Sequence, residues 1–193
     1  MTTNTFSLPL FPLSVHILPG GMMSLRIFEP RYIRMVKQAC AEQTGFAICM
    51  YNSQGDKETN QHIYPLGTYV TIVDFDLLED GILGITVKGH RCVRINSIHT
   101  DKDGLRVGQC EGQENWNCPL TLDSVTPMDQ RLQELFHKYP EVNNLYPSPE
   151  FDNPIWIIYR WLELLPVNAH QKQAFLEQKD CHLALEFLSQ LVE

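Results

Sequence analysis

The segment LPLFPLSVHILPGGMMSLRIFEPRY, residues 8–32, decides the fold of this chain. It holds short β-prone runs separated by proline and glycine corners, and these runs are residues 6–11, 14–18 and 22–27. The run EPRYIRMVKQACAEQ then predicts a helix that begins at Pro30, because proline suits the first turn, where its missing N–H would have no helical partner. The segment contains no glycine-rich phosphate loop and no nucleophile motif, so it predicts structure rather than chemistry.

Residues 67–112 continue the pattern of short strands joined by turn residues. The strand-length runs are TYVTIVDFDLL, ILGITVKG, RCVRINSI and LRVGQCE. The alternation of Leu83, Ile85 and Val87 is typical of antiparallel strands with one buried face. Together with the opening segment, this pattern predicts a partly closed antiparallel barrel with one inserted helix.

The rest of the chain predicts helices. The run IWIIYRWLELL, which follows Asn153-Pro154, is apolar nearly all round, as expected for a helix at the centre of a bundle. A stretch without clear periodicity separates the two parts. We therefore expect an α+β protein, with a β-barrel subdomain over residues 1–115 and a helical bundle over residues 116–193.

Charge and composition limit the possible partners. The 193 residues carry a net charge of −8, of which −1 falls on residues 1–113 and −7 on the remainder. An acidic chain repels phosphate backbones, so nucleic acid is an unfavoured partner. No apolar run is long enough for a membrane span and no basic leader precedes the first strand, so we expect a cytoplasmic protein that does not cross a membrane. The six cysteines are expected to be reduced, several of them buried.

No motif for catalysis, cofactor binding or metal binding appears in the sequence. C-x₂-C pairs, H-E-x-x-H, G-x-S-x-G and the Walker A pattern are all absent. Asp74 and Asp76 lie side by side on one strand face, where an exposed outer surface explains them. We expect no catalytic residue, no cofactor and no metal, although cysteine, histidine and aspartate side chains far apart in sequence could still meet in the folded protein.

Three stretches carry a resemblance to a known family. LPLFPLSVHILPGGMMSLRIFEPRYIRMV resembles the start of the Lon N-terminal domain, also called the Lon substrate-binding domain. DGILGITVKGHRCVRI is similar to the central hairpin of that family, and WIIYRWLELLP resembles its C-terminal helical bundle. The resemblance implies a PUA-like pseudo-barrel followed by a helical bundle, in a stand-alone member that lacks the ATPase and protease domains of full-length Lon.

The function that this resemblance implies is binding of polypeptide, either unfolded segments or a specific protein partner, without catalysis. The contact surface is expected at Met22, Met23, Arg26 and Trp116, since adjacent methionines on one strand cannot both point inward and methionine adapts to varied partners. Three alternatives stay open. They are RNA binding, as in other PUA-like proteins; hydrolysis at a cleft between the subdomains; and small-molecule binding, as in the related cereblon family. A steep loss of RNA affinity with salt would favour the first, and a nucleophile within reach of a histidine in a pocket would favour the second.

Overall fold

The computed structural model describes residues 4–192, which divide into two compact units, Met1–Glu114 and Asn115–Glu193. Within the described residues, the first unit contains six strands and one helix, and the second contains five helices and a 3-10 turn. The expectation of a mixed α+β fold is confirmed.

The strands of the first unit are β1 (Thr5–Leu13), β2 (Met22–Ile27), β3 (Phe46–Tyr51), β4 (Ile63–Leu77), β5 (Leu83–Thr100) and β6 (Arg106–Gly112). All of them except β2 pair in a closed ring, in which β1 pairs with β3, β3 with β4, β4 with β5, β5 with β6, and β6 with β1. Among the strands within residues 4–192, only the β1–β3 pair is parallel. The remaining strand, β2, pairs with the first half of β5.

The strands of the opening segment differ from those predicted. β1 runs without a break through Pro12, and no strand forms over residues 14–18. β6 pairs with β1 only as far as Leu10, so the last residues of β1 have a strand on one side and tolerate a residue without an N–H. The following segment is held by other bonds, among them one from Thr68 Oγ1 to the carbonyl oxygen of Ile17 at 2.7 Å.

Helix α1 (Pro30–Glu42) begins at the proline from which it was predicted. Its buried face packs with the strands of the ring in one apolar cluster, to which it contributes Tyr32, Met35, Val36 and Ala39. The first turn of α1 lies beside the ends of β1 and β2.

The second unit is built around one buried helix. Its elements are a 3-10 turn (Leu122–Val125), α2 (Met128–Lys138), α3 (Pro140–Asn143), α4 (Pro154–Leu164), α5 (Ala169–Leu176) and α6 (His182–Ser189). The central helix α4 is buried continuously from Trp156 to Leu162, as its all-round apolar sequence predicts. None of the helices within residues 4–192 has the length and apolar character needed to cross a membrane.

The buried face of α4 also carries an ion pair. Arg160 donates to both carboxylate oxygens of Glu163, at 2.9 Å and 2.8 Å. Both side chains are almost removed from solvent, and Lys172 of α5 is buried as well. Burial lowers the pKa of Lys172 to about 8, and the negative charge of Glu163 opposes this effect.

Candidate functional site

Of the four residues that the sequence suggested for peptide contact, Met22, Met23 and Arg26 belong to the first unit and Trp116 belongs to the second. Trp116 is only 6% exposed, stacks on Tyr159 with ring centroids 4.7 Å apart, and donates from Nε1 to the carbonyl oxygen of Gln178 at 3.2 Å. The expectation that Trp116 is exposed is therefore wrong. A large aromatic ring that follows an irregular stretch fills the interior of the helical unit instead of standing out from it.

The two adjacent methionines do face opposite ways. Met23 lies opposite Val87 and is buried in the main apolar cluster, whereas Met22 is half-buried. Met23 therefore does not offer the exposed surface that was expected of it. Arg26, on the same strand, is exposed and forms an ion pair with Asp80. Whether any of these side chains binds peptide stays a prediction.

A different group of apolar side chains is exposed. It lies at the far end of β4, where Val73, Phe75 and Leu77 alternate along the strand with exposed fractions of 50%, 67% and 71%. We call this segment, residues 73–77, the β4 stripe. Contiguous exposed apolar side chains of this kind mark interaction surfaces more often than scattered ones do.

The β4 stripe also lies on an open strand edge. The ladder between β3 and β4 ends at the pair Phe46 and Val70, while the ladder between β4 and β5 continues to Leu77 and Leu83. Within the part of the chain that the structure describes, no strand pairs with the outer side of β4 beyond Val70. An edge of this kind can accept a further strand.

One backbone donor in the stripe has a local partner. The N–H of Phe75 donates to Oδ1 of Asp74 at 2.9 Å. Asp74 and Asp76 are both exposed, in agreement with the prediction that these carboxylates lie on the outer surface. A carboxylate that occupies an edge N–H is one of the ways in which proteins limit uncontrolled strand pairing.

The first unit also contains a groove at the ends of β1 and β2, with a cavity volume of about 340 Å³. Its walls are the last residues of β1, residues 25–29, the first turn of α1, and the connection between β3 and β4. The charged and titratable side chains that line it are Arg26, Glu29, Arg31, Lys57, His62 and Arg106. We call this cavity the β1–β2 groove.

Most of the cations in the β1–β2 groove have well-defined positions. Arg31 donates to Glu29 at 2.9 Å and to the carbonyl oxygen of Gly104 at 3.0 Å. Arg106 donates to Oδ1 of Asn60 at 3.1 Å and, at 3.5 Å, to the same Gly104 oxygen. Two guanidinium groups therefore converge on one carbonyl group.

His62 is the buried titratable group of the groove. It is 3% exposed, and its ring is hydrogen-bonded to the backbone of Asp56, while Nδ1 has no partner among residues 4–192. Burial lowers the pKa of His62, and the neighbouring charges of Arg106 and Lys57 lower it further. The imidazole therefore lies in positive surroundings.

All six cysteines lie within residues 4–192 and are free thiols. Cys49, Cys92, Cys110 and Cys181 are buried free thiols, as expected for several of the six, and burial raises the pKa of Cys92 to about 12. The Sγ atom of Cys118 lies 2.9 Å from that of Cys181. Within residues 4–192 no group of three or more His, Cys, Asp and Glu side chains could hold a metal ion.

The comparisons with known proteins agree with this architecture. A sequence model of the ATP-dependent protease La (LON) substrate-binding domain matches residues 7–193. Because the match covers nearly the whole chain, the chain belongs to the LON substrate-binding domain family. The resemblance inferred from the sequence is confirmed.

Solved structures show the same fold. The Lon N-terminal domain protein from Xanthomonas campestris is 30% identical, with a TM-score of 0.68 over 95% of this chain and 96% of that one. The N-terminal domain of the Mycobacterium avium complex Lon protease has a TM-score of 0.66 over the same shares but is 15% identical, so that likeness shows the fold alone.

A curated relative is also similar over most of the chain. Protein cereblon from Gallus gallus is 24% identical over 145 residues, which is 73% of this chain. The matched region spans 29% of the length of that relative.

Proposed function

We propose that this protein binds polypeptide without catalysis, and that the β4 stripe is its contact surface. Membership of a substrate-binding domain family supports a recognition role. The observation that carries the assignment to this surface is the coincidence of three exposed apolar side chains with an unpaired strand edge. An extended segment can bond to such an edge through its backbone, while its alternate side chains contact the apolar stripe.

We also propose a fold type for each unit and a cellular location for the protein. The closed ring of five strands supports a PUA-like barrel in the first unit, and the burial of α4 supports a bundle in the second. We place the protein in the cytoplasm, where unfolded chains are available. Met22 and Arg26 stay part of the proposed contact surface, because β2 and β4 are both neighbours of β5.

The binding energy expected from the stripe can be estimated from its exposure. A phenylalanine with 67% of its surface exposed offers on the order of 100 Å² for burial. At about 25 cal/mol per Å², full burial is worth roughly 2.5 kcal/mol, and part of that is offset by the ordering of the bound segment. Removal of the ring should therefore weaken binding by about tenfold or more.

The test is fluorescence anisotropy with a labelled, permanently unfolded polypeptide, such as reduced and carboxyamidomethylated α-lactalbumin. The variant Phe75→Ser with Leu77→Ser should lose at least about tenfold in affinity, and the loss should persist at high salt because apolar contacts are not screened. Val15→Ser removes an apolar side chain of the same unit that is 65% exposed, and it should leave affinity unchanged. Equal affinity of the stripe variant and Val15→Ser would contradict the assignment.

A further inference from the structure

The β1–β2 groove holds more positive charge than its own carboxylate neutralises. Four cationic side chains and one carboxylate, Glu29, line it. Glu29 is bonded to Arg31, and Arg26 is paired with Asp80. For Arg106 and Lys57, no carboxylate lies within 4 Å among the residues that the structure describes.

Arg106 is held in place by neutral groups. Its three acceptors are the side chain of Asn60 and the carbonyl oxygens of Gly104 and Lys57, at 3.1 Å, 3.5 Å and 3.4 Å. The shared Gly104 oxygen brings Arg31 close to it, so two like charges are fixed near each other. A fixed pair of guanidinium groups favours a planar anion, which can accept from both.

Nδ1 of His62 is a second feature of the groove that bears on anion binding. Nδ1 of His62 has no hydrogen-bond partner among residues 4–192 although the side chain is 3% exposed, and His62 lines the groove. A buried nitrogen without a partner costs free energy, and a bound group that pairs with it would recover that cost. In the neutral ring Nδ1 is an acceptor, because the other ring nitrogen donates to the backbone of Asp56. Burial and the charges of Arg106 and Lys57 lower the pKa of His62, so Nδ1 donates to a bound carboxylate only when the negative charge of that carboxylate restores the second ring proton.

Apolar side chains also line the groove. They come from the β1 end, the β2 end and the start of α1, and they are Phe11, Leu13, Leu25, Phe28 and Tyr32. Phe28 is 67% exposed. A volume of about 340 Å³ is at the small end for ligand sites and suits about one or two residues, not a longer segment.

We infer that the β1–β2 groove binds a carboxylate of a peptide together with an apolar side chain near that carboxylate. The carboxylate lies against Arg106, Lys57 and His62, and the apolar part packs on Leu13, Leu25 and Phe28. The assignment of the carboxylate to a peptide rests on the proposed function. The groove and the β4 stripe share no residue. Arg26 lines the groove and belongs to the proposed contact surface, so the test variants leave it unchanged and remove each site without the other.

The carboxylate can come from a chain terminus or from an acidic side chain, and three short peptides distinguish the two. The probes are acetyl-Gly-Ser-Ala-Leu with a free carboxyl end, the same peptide with an amide end, and acetyl-Gly-Glu-Ala-Leu with an amide end. Each is titrated into the full ¹⁵N-labelled chain, and the shifts of the arginine Nε–H and histidine ring signals are followed. Inorganic phosphate is titrated separately.

We expect the acid peptide or the glutamate peptide to shift the Arg106 and His62 signals, and the neutral amide to leave them in place. Lys57→Met and Arg106→Gln should weaken this response by about tenfold or more, and Lys37→Met, which removes an exposed lysine outside the groove, should not. Amide spectra of each variant show whether it is folded, and Lys57→Met tests the groove even if Arg106→Gln unfolds. Equal shifts with the neutral amide, or shifts with phosphate alone, would overturn the inference.

The two proposals can fail separately. The double variant Phe75→Ser with Leu77→Ser should keep the carboxylate-dependent shifts, and Lys57→Met should keep its affinity for unfolded α-lactalbumin through the β4 stripe. Loss of α-lactalbumin binding in the stripe variant, together with no peptide response in the unmodified chain, would reject the groove and retain the proposed function. The reverse result would reject the stripe and retain the groove.

Discussion

Replacement of Lys172 by methionine should make the helical unit more stable at neutral pH and should remove part of its pH dependence. Lys172 is 3% exposed on α5, and burial lowers the pKa of its ammonium group from 10.5 to about 8. Each pKa unit corresponds to about 1.4 kcal/mol, so the buried charge costs roughly 3 kcal/mol below pH 8. Methionine keeps most of the length of the side chain and carries no charge.

The sign of the pH effect follows from proton binding. Between pH 8 and 10.5 the unfolded chain holds the proton on Lys172 and the folded chain releases it, so the unfolded state binds more protons. The free energy of unfolding should therefore rise with pH across this window by up to roughly 3 kcal/mol. In the Lys172→Met variant this contribution is absent, so the advantage of the variant should shrink as the pH approaches 10.5.

Urea unfolding followed by tryptophan fluorescence measures this directly. All three tryptophans, Trp116, Trp156 and Trp161, lie in the second unit, so the signal reports on that unit. The control is Lys179→Met, which makes the same chemical change at an exposed position of the same unit. If the two variants differ from the unmodified chain by the same amount at pH 7 and pH 10, the account of Lys172 is wrong.

Two further predictions concern single carboxylates. Glu163→Gln should destabilise the helical unit by about 3 kcal/mol or more in the same urea assay, because Arg160 stays buried without its charged partner. The control is Glu186→Gln, which makes the same change on the exposed surface of α6 and should alter the stability little. Asp74→Ala should raise the affinity for unfolded α-lactalbumin, since it frees the N–H of Phe75 for an incoming strand; unchanged or weaker binding in the anisotropy assay would show that this N–H is not used.

The elements that were predictable from sequence are those with a strong local signal. α1 begins at Pro30 because proline at a helix start is a local preference, and α4 is buried because its apolar residues leave no polar face. The break predicted in β1 at Pro12 was wrong, because the tolerance of a strand for proline depends on where its neighbour ends. The neighbouring strand is β6, and its end is determined by a different part of the chain.

The candidate surfaces were harder to predict for the same reason. The alternation of Val73, Phe75 and Leu77 is visible in the sequence, but the exposure of this face depends on where β3 stops pairing. Likewise, the β1–β2 groove brings together residues from five separate segments, and no spacing in the sequence connects Lys57 with Arg106. Trp116 shows the opposite error, since an aromatic residue in an irregular stretch was expected at the surface and lies in the core.

The most direct test of the central claim is amide hydrogen exchange of the full chain with and without unfolded α-lactalbumin. If a bound segment adds to the edge of β4, exchange should slow at residues 73–77, with Phe75 foremost, because its N–H passes from the Asp74 side chain to the bound strand. The exchange rates of amides in β3 and β6, which pair with a strand on each side, should stay unchanged. Saturating binding that leaves exchange across residues 73–77 unchanged would contradict the assignment of polypeptide recognition to the β4 stripe.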